Sequence, residues 1–140
     1  LLCEQLKKAG YDVVEKLLLP DEEARIKAEL IRLCDQRQIQ LIMTTGGTGF
    51  SPRDCTPEAT IAVATRNVPG IAEAIRAGSM KYTKRAMLSR GVSVIRNKTL
   101  IVNLPGSPKA VKEGTDLILD TLAHGIRVLI GMESNCAQNS

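Results

Sequence analysis

The sequence predicts a layered α/β fold, built as one domain over residues 1–140. Three observations carry this expectation. Helical and strand-like stretches alternate along the chain. Short apolar runs such as Ile39–Thr44 suit strands buried in a sheet. Two of these runs lead through a Gly-containing loop into a helix start marked by a hydroxyl residue and a proline, Thr56-Pro57 and Ser107-Pro108. A chain of 140 residues with 44% apolar residues can bury one core.

The elements follow in order. Leu1–Ala9 reads as a helix, with Leu2 and Leu6 on one face and Gly10 as its stop. Tyr11–Leu19 reads as a strand centred on Val13 and Val14 and ended by Pro20. Asp21 stands where a helix cap would stand, and Ile26, Leu30, Leu33 and Cys34 recur at helical spacing between Glu22 and Gln38. Ile39–Thr44 is a buried parallel strand, and residues 45–54 form a loop. Thr56 caps a helix that carries Pro57 at its first position and runs to about Arg66. A second helix spans Pro69 to Gly78. Gly91–Arg96 and Thr99–Asn103 form a hairpin turning at Asn97-Lys98. Ser107-Pro108 opens a last helix to Leu129, with Val111, Leu117, Ile118, Leu122, Ile126 and Leu129 on its buried side. The tail after Gly131 is polar and expected to fray.

Composition removes several function classes. Lys and Arg number 19 against 15 Asp and Glu, a mild net charge of +4. Tyr11, Phe50 and Tyr82 are scattered, so there is no basic patch with aromatic platforms, and nucleic acid is not an expected partner. No run has the length of a membrane span or the form of a secretory leader. Cys3, Cys34, Cys55 and Cys136 form no C-x-x-C pair, so no zinc site is indicated and reduced thiols in a cytoplasmic protein are expected. The single histidine, His124, has no accompanying nucleophile pattern and reads as a surface or packing residue.

The loop Thr44-Thr45-Gly46-Gly47-Thr48-Gly49-Phe50-Ser51-Pro52-Arg53-Asp54 carries the chemistry. It leaves the carboxyl end of a strand, where open α/β sheets bind ligands. Its glycines allow close backbone approach and turn N–H groups towards an anion. Arg53 is suited to phosphate oxygens and Asp54 to a metal ion. The pattern is neither a Walker loop nor the dinucleotide fingerprint. A second loop, Asn103-Leu104-Pro105-Gly106-Ser107-Pro108-Lys109, also follows a strand and opens a helix, whose free N–H groups favour an anion. Taken alone, a bare glycine loop reads first as a tight βα turn and the second loop as a capped helix start with a Pro-Gly turn; two such loops after two strands of one small domain point to a shared phosphate-binding edge. Asp21 is an ordinary cap unless it reaches the same edge as Asp54, where two carboxylates would hold Mg2+ between phosphates.

The run TTGGTGFSPRDCTPEAT, Thr44 to Thr60, resembles the signature of the Mog/MoaB family, to which the gephyrin G domain belongs. LLLPDEE at Leu17–Glu23 and AMLSRGVSVIRNKTLIVNLPGSPKAVKE at Ala86–Glu113 extend the resemblance over nearly the whole chain. The resemblance implies a three-layer α/β/α sandwich of the molybdopterin-binding type, with a mostly parallel, mixed sheet and assembly as a homotrimer or a higher oligomer of trimers. It also implies a strand and a Ser/Asp/Gly-containing loop ahead of Leu1, so the domain reads as lacking the family's first strand.

The implied activity is a step of molybdenum cofactor biosynthesis. AMP passes from Mg-ATP to molybdopterin, and pyrophosphate leaves. By this likeness Asp21 and Asp54 are the catalytic and Mg2+-binding carboxylates. Thr45, Gly46, Gly47, Thr48, Gly49, Arg53, Ser89, Asn103, Pro105, Gly106 and Ser107 would bind ATP and molybdopterin. The molybdate-insertase protein of the pathway is the implied protein partner. A non-catalytic molybdopterin carrier of the same fold is the alternative. Ile71, Ile75, Met80 and Met87 fit either a subunit contact or the core, with the core as the default.

Overall fold

The computed structural model describes residues 1–132, so Cys136 and most of the polar tail lie outside the described residues. Five α-helices and four strands follow one another: α1 (Leu2–Lys8), α2 (Glu23–Ile31), β1 (Leu41–Thr45), α3 (Thr56–Val63), β2 (Arg66–Asn67), α4 (Pro69–Ser79), β3 (Ser93–Arg96), β4 (Thr99–Leu104) and α5 (Pro108–Leu129). A π-helical turn, Arg32–Gln36, prolongs α2, and a 3-10 turn, Lys84–Leu88, precedes the segment leading to β3.

The sheet is mixed, with strand order β1-β4-β3-β2. β1 runs parallel to β4, with Leu41 opposite Leu100 and Thr45 opposite Leu104. The β3–β4 and β2–β3 pairings are antiparallel, so among the described residues the sheet is mixed as expected but not mostly parallel. The parallel pair brings the carboxyl ends of β1 and β4 to one edge, and both glycine loops depart from there. The hairpin joins Arg96 to Thr99 through Asn97-Lys98, and Asn97 takes the left-handed φ of 55° that such a turn needs.

The two-residue period of β4 divides the core. Leu100, Val102 and Leu104 pack with Ile75 of α4 and with Val111, Ile118, Leu122 and Ile126 of α5. Ile101 points the other way, with Ile42 and Val94, against Ile26 and Leu30 of α2 and Ala59 and Val63 of α3. Helices on both faces of one sheet give the expected three layers. β4 is buried at every position, as befits a strand covered on both faces. Leu2 and Leu6 of α1 also pack on the α5 side.

Several expectations shift. Tyr11–Leu19 is extended but joins no ladder, so the expected strand there does not form. A strand needs a neighbour, and among the described residues β1 pairs with β4 alone. A cavity of about 880 Å3, lined in part by Leu6, Val13, Leu30, Met43 and Ile126, lies beside β1 and this segment. The segment is fastened by its side chains instead. The Tyr11 hydroxyl donates to the Leu119 carbonyl at 3.0 Å. Glu15 pairs with Arg32 and, at 2.6 Å, with Arg37.

The caps also move. α2 is capped at Glu22 rather than Asp21, and α3 at Cys55 rather than Thr56; neither cap side chain makes a capping bond. α3 ends at Val63, because the chain turns there into the short strand Arg66–Asn67 beside β3. Ser107 does cap α5, its hydroxyl accepting from the Ala110 N–H at 3.1 Å. Leu117 is 50% exposed rather than buried, lying over Gly78 of α4 at the surface. Ile75 is core and Ile71 packs against it, whereas Met80 and Met87 are exposed. No helix among the described residues is long and apolar enough to cross a membrane.

Candidate active site

The site begins at the last residue of β1. Thr45 is exposed, and the next N–H, from Gly46, donates to the Leu104 carbonyl at 3.0 Å, continuing the ladder into the first loop. Gly46 and Gly47 then take φ of 84° and 70°, the left-handed region that glycine enters without a steric penalty. A Cβ on Gly47 would fall 2.3 Å from Oγ1 of Thr56, so glycine is required there by space as well. The Thr56 N–H donates to the Gly47 carbonyl at 3.3 Å and closes the loop at its feet.

The second loop meets the first backbone to backbone. A Cβ on Gly106 would lie 3.2 Å from Cα of Gly46. Pro105 is half-buried, while Gly106 and Ser107 are exposed beside the start of α5. Two Gly turns and one helix N-terminus thus share the carboxyl edge of the parallel pair, a setting that presents N–H groups to an anion.

Beyond Gly47 the loop folds on itself. The Asp54 carboxylate accepts from the Ser51 N–H at 3.1 Å, and the Asp54 N–H donates to the Ser51 carbonyl at 2.9 Å. Phe50 and Arg53 project from its exposed tip. Asp54, with Gly49, Ser51, Cys55, Glu58 and Arg90, lines a hollow of about 570 Å3. Asp21 is exposed and lines the larger cavity instead, together with Thr45, Gly46, Gly47 and Gly106. Burial pushes the Cys55 thiol up, and the negative charges of Asp21, Glu23, Glu58 and Asp54 push it further in the same direction.

Two expected pocket residues are spent internally. Asn103 is 2% exposed. Its amide donates to Oγ1 of Thr44 at 3.0 Å and Oγ1 of Thr60 at 3.1 Å, and its carbonyl accepts from the Val92 N–H at 3.1 Å. It ties β1, α3 and the lead into β3 together rather than facing a ligand. The Ser89 hydroxyl accepts from the Gly91 N–H at 3.3 Å. Thr48 is buried at 5% exposure, leaving its neighbours Gly46, Gly47 and Gly49 nearer the surface.

Arg90 was not among the residues read from the sequence. Its N–H donates to the Thr48 carbonyl at 2.8 Å. Its guanidinium donates to the carbonyls of Gly49 at 2.8 Å and Asp54 at 2.9 Å, and pairs with Glu58 at 2.5 Å. That bond holds the Glu58 carboxyl below the usual carboxylate range. Arg76 of α4 fixes the arginine's flanks by donating to the carbonyls of Ser89 at 3.2 Å and Gly91 at 2.7 Å. Arg90 lies inside the quoted run AMLSRG, but only the folded chain shows that its side chain reaches back to residues 49–58.

Residues 1–124 match the family model described as "Probable molybdopterin binding domain". The chain belongs to this molybdopterin-binding-domain family. Among the family's relatives, the molybdopterin adenylyltransferase of Escherichia coli (strain K12) is 46% identical over 117 residues, 81% of this chain and 60% of that protein. The molybdopterin adenylyltransferase of Helicobacter pylori (strain ATCC 700392 / 26695) is 42% identical over 114 residues, 81% of this chain and 65% of that protein. The chain therefore spans about 60% of the length of the curated relatives it matches. Among solved structures, the molybdopterin biosynthesis enzyme MoaB of Thermus thermophilus superposes with a TM-score of 0.87 at 43% identity, covering 93% of this chain and 82% of that one. The molybdopterin biosynthesis Mog protein of Mycobacterium ulcerans superposes with a TM-score of 0.83 at 39% identity, covering 90% and 82%. The Mog/MoaB resemblance and the α/β fold it implies hold for this member of the molybdopterin-binding-domain family.

Proposed function

We propose that this chain acts in molybdenum cofactor biosynthesis as a molybdopterin adenylyltransferase, taking Mg-ATP and molybdopterin as substrates. The observation that carries the reading is the convergence of the Gly46–Gly49 loop, against which the Asp54 carboxylate folds, with the loop at Gly106, in a chain 46% identical to a named adenylyltransferase. An oxygen of the molybdopterin phosphate attacks the α-phosphorus of ATP. The bond from that phosphorus to the β-phosphate oxygen breaks, and pyrophosphate leaves with the electron pair. The attacking phosphate is already anionic, so positioning and charge neutralisation are the protein's main tasks. Backbone N–H groups of Gly47 and Gly49 and of the α5 start hold phosphate oxygens, while the Gly46 N–H stays in the ladder with Leu104. Thr45, Arg53, Pro105 and Ser107 complete the walls, while Thr48 and Ser89 support the loops from behind.

The donor set fits Mg2+. Asp21 and Asp54 are hard oxygen donors, Asp21 in the larger cavity with Gly46 and Gly106 and Asp54 in the hollow beside Gly49. Among the described residues no group of three or more His, Cys, Asp or Glu gathers to hold a metal. Mg2+ prefers such a partial set, completing its shell with water and substrate phosphate. When bound, it would neutralise charge on the triphosphate.

The same reading places the protein in the cytoplasm, as a homotrimer or a higher oligomer of trimers, delivering its product to the molybdate-insertase protein. Exposed Tyr82, Met87 and Leu88 offer apolar surface for a subunit contact. Pyrophosphate release tests the activity. It should require ATP, Mg2+ and molybdopterin together. Tight molybdopterin binding with no pyrophosphate release would instead favour the carrier reading.

A further inference from the structure

We infer that Arg90 is a positioning residue for the catalytic loop, and that it sets where the Asp54 carboxylate stands. The inference rests on the adenylyltransferase reading and extends it to a residue that acts through the loop it holds. One guanidinium reaches the carbonyl of Gly49, the carbonyl of Asp54 and the Glu58 carboxylate. The first two are the opposite feet of the six-residue turn that carries Asp54. The Arg90 N–H adds a fourth hold on the preceding carbonyl, Thr48.

The planar, forked donor set of arginine fits this task. It directs several N–H bonds at fixed angles, whereas a lysine ammonium is a point charge on a flexible stem. Glu58, in the first turn of α3, holds the outer side of the fork. Arg76 holds the segment on either side of Arg90 to α4. The position of Asp54 is thereby referred to two rigid helices, α3 and α4. Within the turn, Asp54 bonds only to Ser51, itself a member of the same turn. Without the fork the turn keeps its own shape but loses its fixed place over the edge of the sheet.

The test is Arg90→Lys in the full chain, read in three ways. Hydrogen exchange over residues 48–55 should quicken several-fold while the other amides keep their protection. The half-saturating Mg2+ concentration should rise. The kcat should fall on the order of 100-fold, the scale for a catalytic group displaced by about 1 Å, with KM for molybdopterin nearly unchanged. Unchanged exchange over 48–55 overturns the inference whether or not the wild-type protein transfers adenylate, so this readout is independent of the functional reading. A lowered melting temperature with unchanged kcat and Mg2+ requirement also overturns it, since that is the mark of a purely structural arginine. If Arg90→Lys does not fold, Glu58→Ala carries the test. It frees the outer side of the fork and should move the same three readouts by a smaller factor. No change in any of them overturns the inference.

Discussion

Gly106 rests against Gly46 with so little space that a Cβ on Gly106 would lie 3.2 Å from the Gly46 Cα. The obstacle is backbone at the end of a paired strand, which cannot swing aside as a side chain can. Gly106→Ala should push the two loops apart by a few tenths of an ångström, and Gly106→Val by more. Because Gly106 is exposed, stability should change little. Adenylyl transfer should fall by about 10-fold or more, in the order Val below Ala. Thermal melts and turnover on the same preparations check this.

Gly47 carries a heavier constraint. Its φ of 70° and the Thr56 Oγ1 atom 2.3 Å from its Cβ position both oppose any side chain. Gly47→Ala should therefore destabilise the fold by roughly 1–3 kcal/mol. Adding Thr56→Ala removes the Oγ1 clash but leaves the Thr56 Cβ 3.2 Å away and the backbone strain, so the double variant should recover only part of the loss. Urea denaturation of the two single variants and the double variant measures the coupling.

Ile101 sits at 0% exposure in the middle of β4, against α2 and α3. Ile101→Ala should cost roughly 2–5 kcal/mol, the range for truncating a buried aliphatic side chain. Leu18, 99% exposed in the extended segment, should tolerate alanine within about 0.5 kcal/mol. Equal losses at the two positions in chemical denaturation would contradict the described core.

Acid should loosen three ion pairs, of which Glu58–Arg90 lies at the site. Hydrogen bonds from Arg32, Arg96 and Arg90 hold the carboxyls of Glu15, Asp35 and Glu58 below their ordinary values. A depressed carboxylate stabilises the fold fully above its unfolded pKa, and the contribution is lost as pH falls through the folded one. The melting temperature should hold from pH 7 to about pH 5 and drop below about pH 4, the ordinary carboxylate range. Glu15→Gln should flatten part of that drop. A melting temperature independent of pH down to pH 3 would refute these assignments.

The layered fold and the main loop were legible in the sequence for physical reasons. The hairpin turning at Asn97-Lys98, the Ser107-Pro108 helix start and the Gly46-Gly47 turn are all local signals. Tyr11–Leu19 misled because strand character becomes a strand only when a neighbour supplies the ladder. The caps at Glu22 and Cys55 differ from the expected Asp21 and Thr56 by one residue, the usual uncertainty of a helix end. Asn103 lay in the right motif, but burial turned its amide inward to Thr44 and Thr60. Arg90 could not be read at all, because its partners lie 32 to 41 positions earlier in the chain.

The central claim is adenylyl transfer organised by Asp54, and its most direct measurement uses α-labelled ATP, Mg2+ and molybdopterin. The wild-type protein should yield labelled, adenylylated molybdopterin. Asp54→Asn should fold with a similar melting temperature and form that product on the order of 100-fold more slowly. Equal product from both proteins would contradict the role of Asp54, and no product from the wild type would contradict the adenylyltransferase reading.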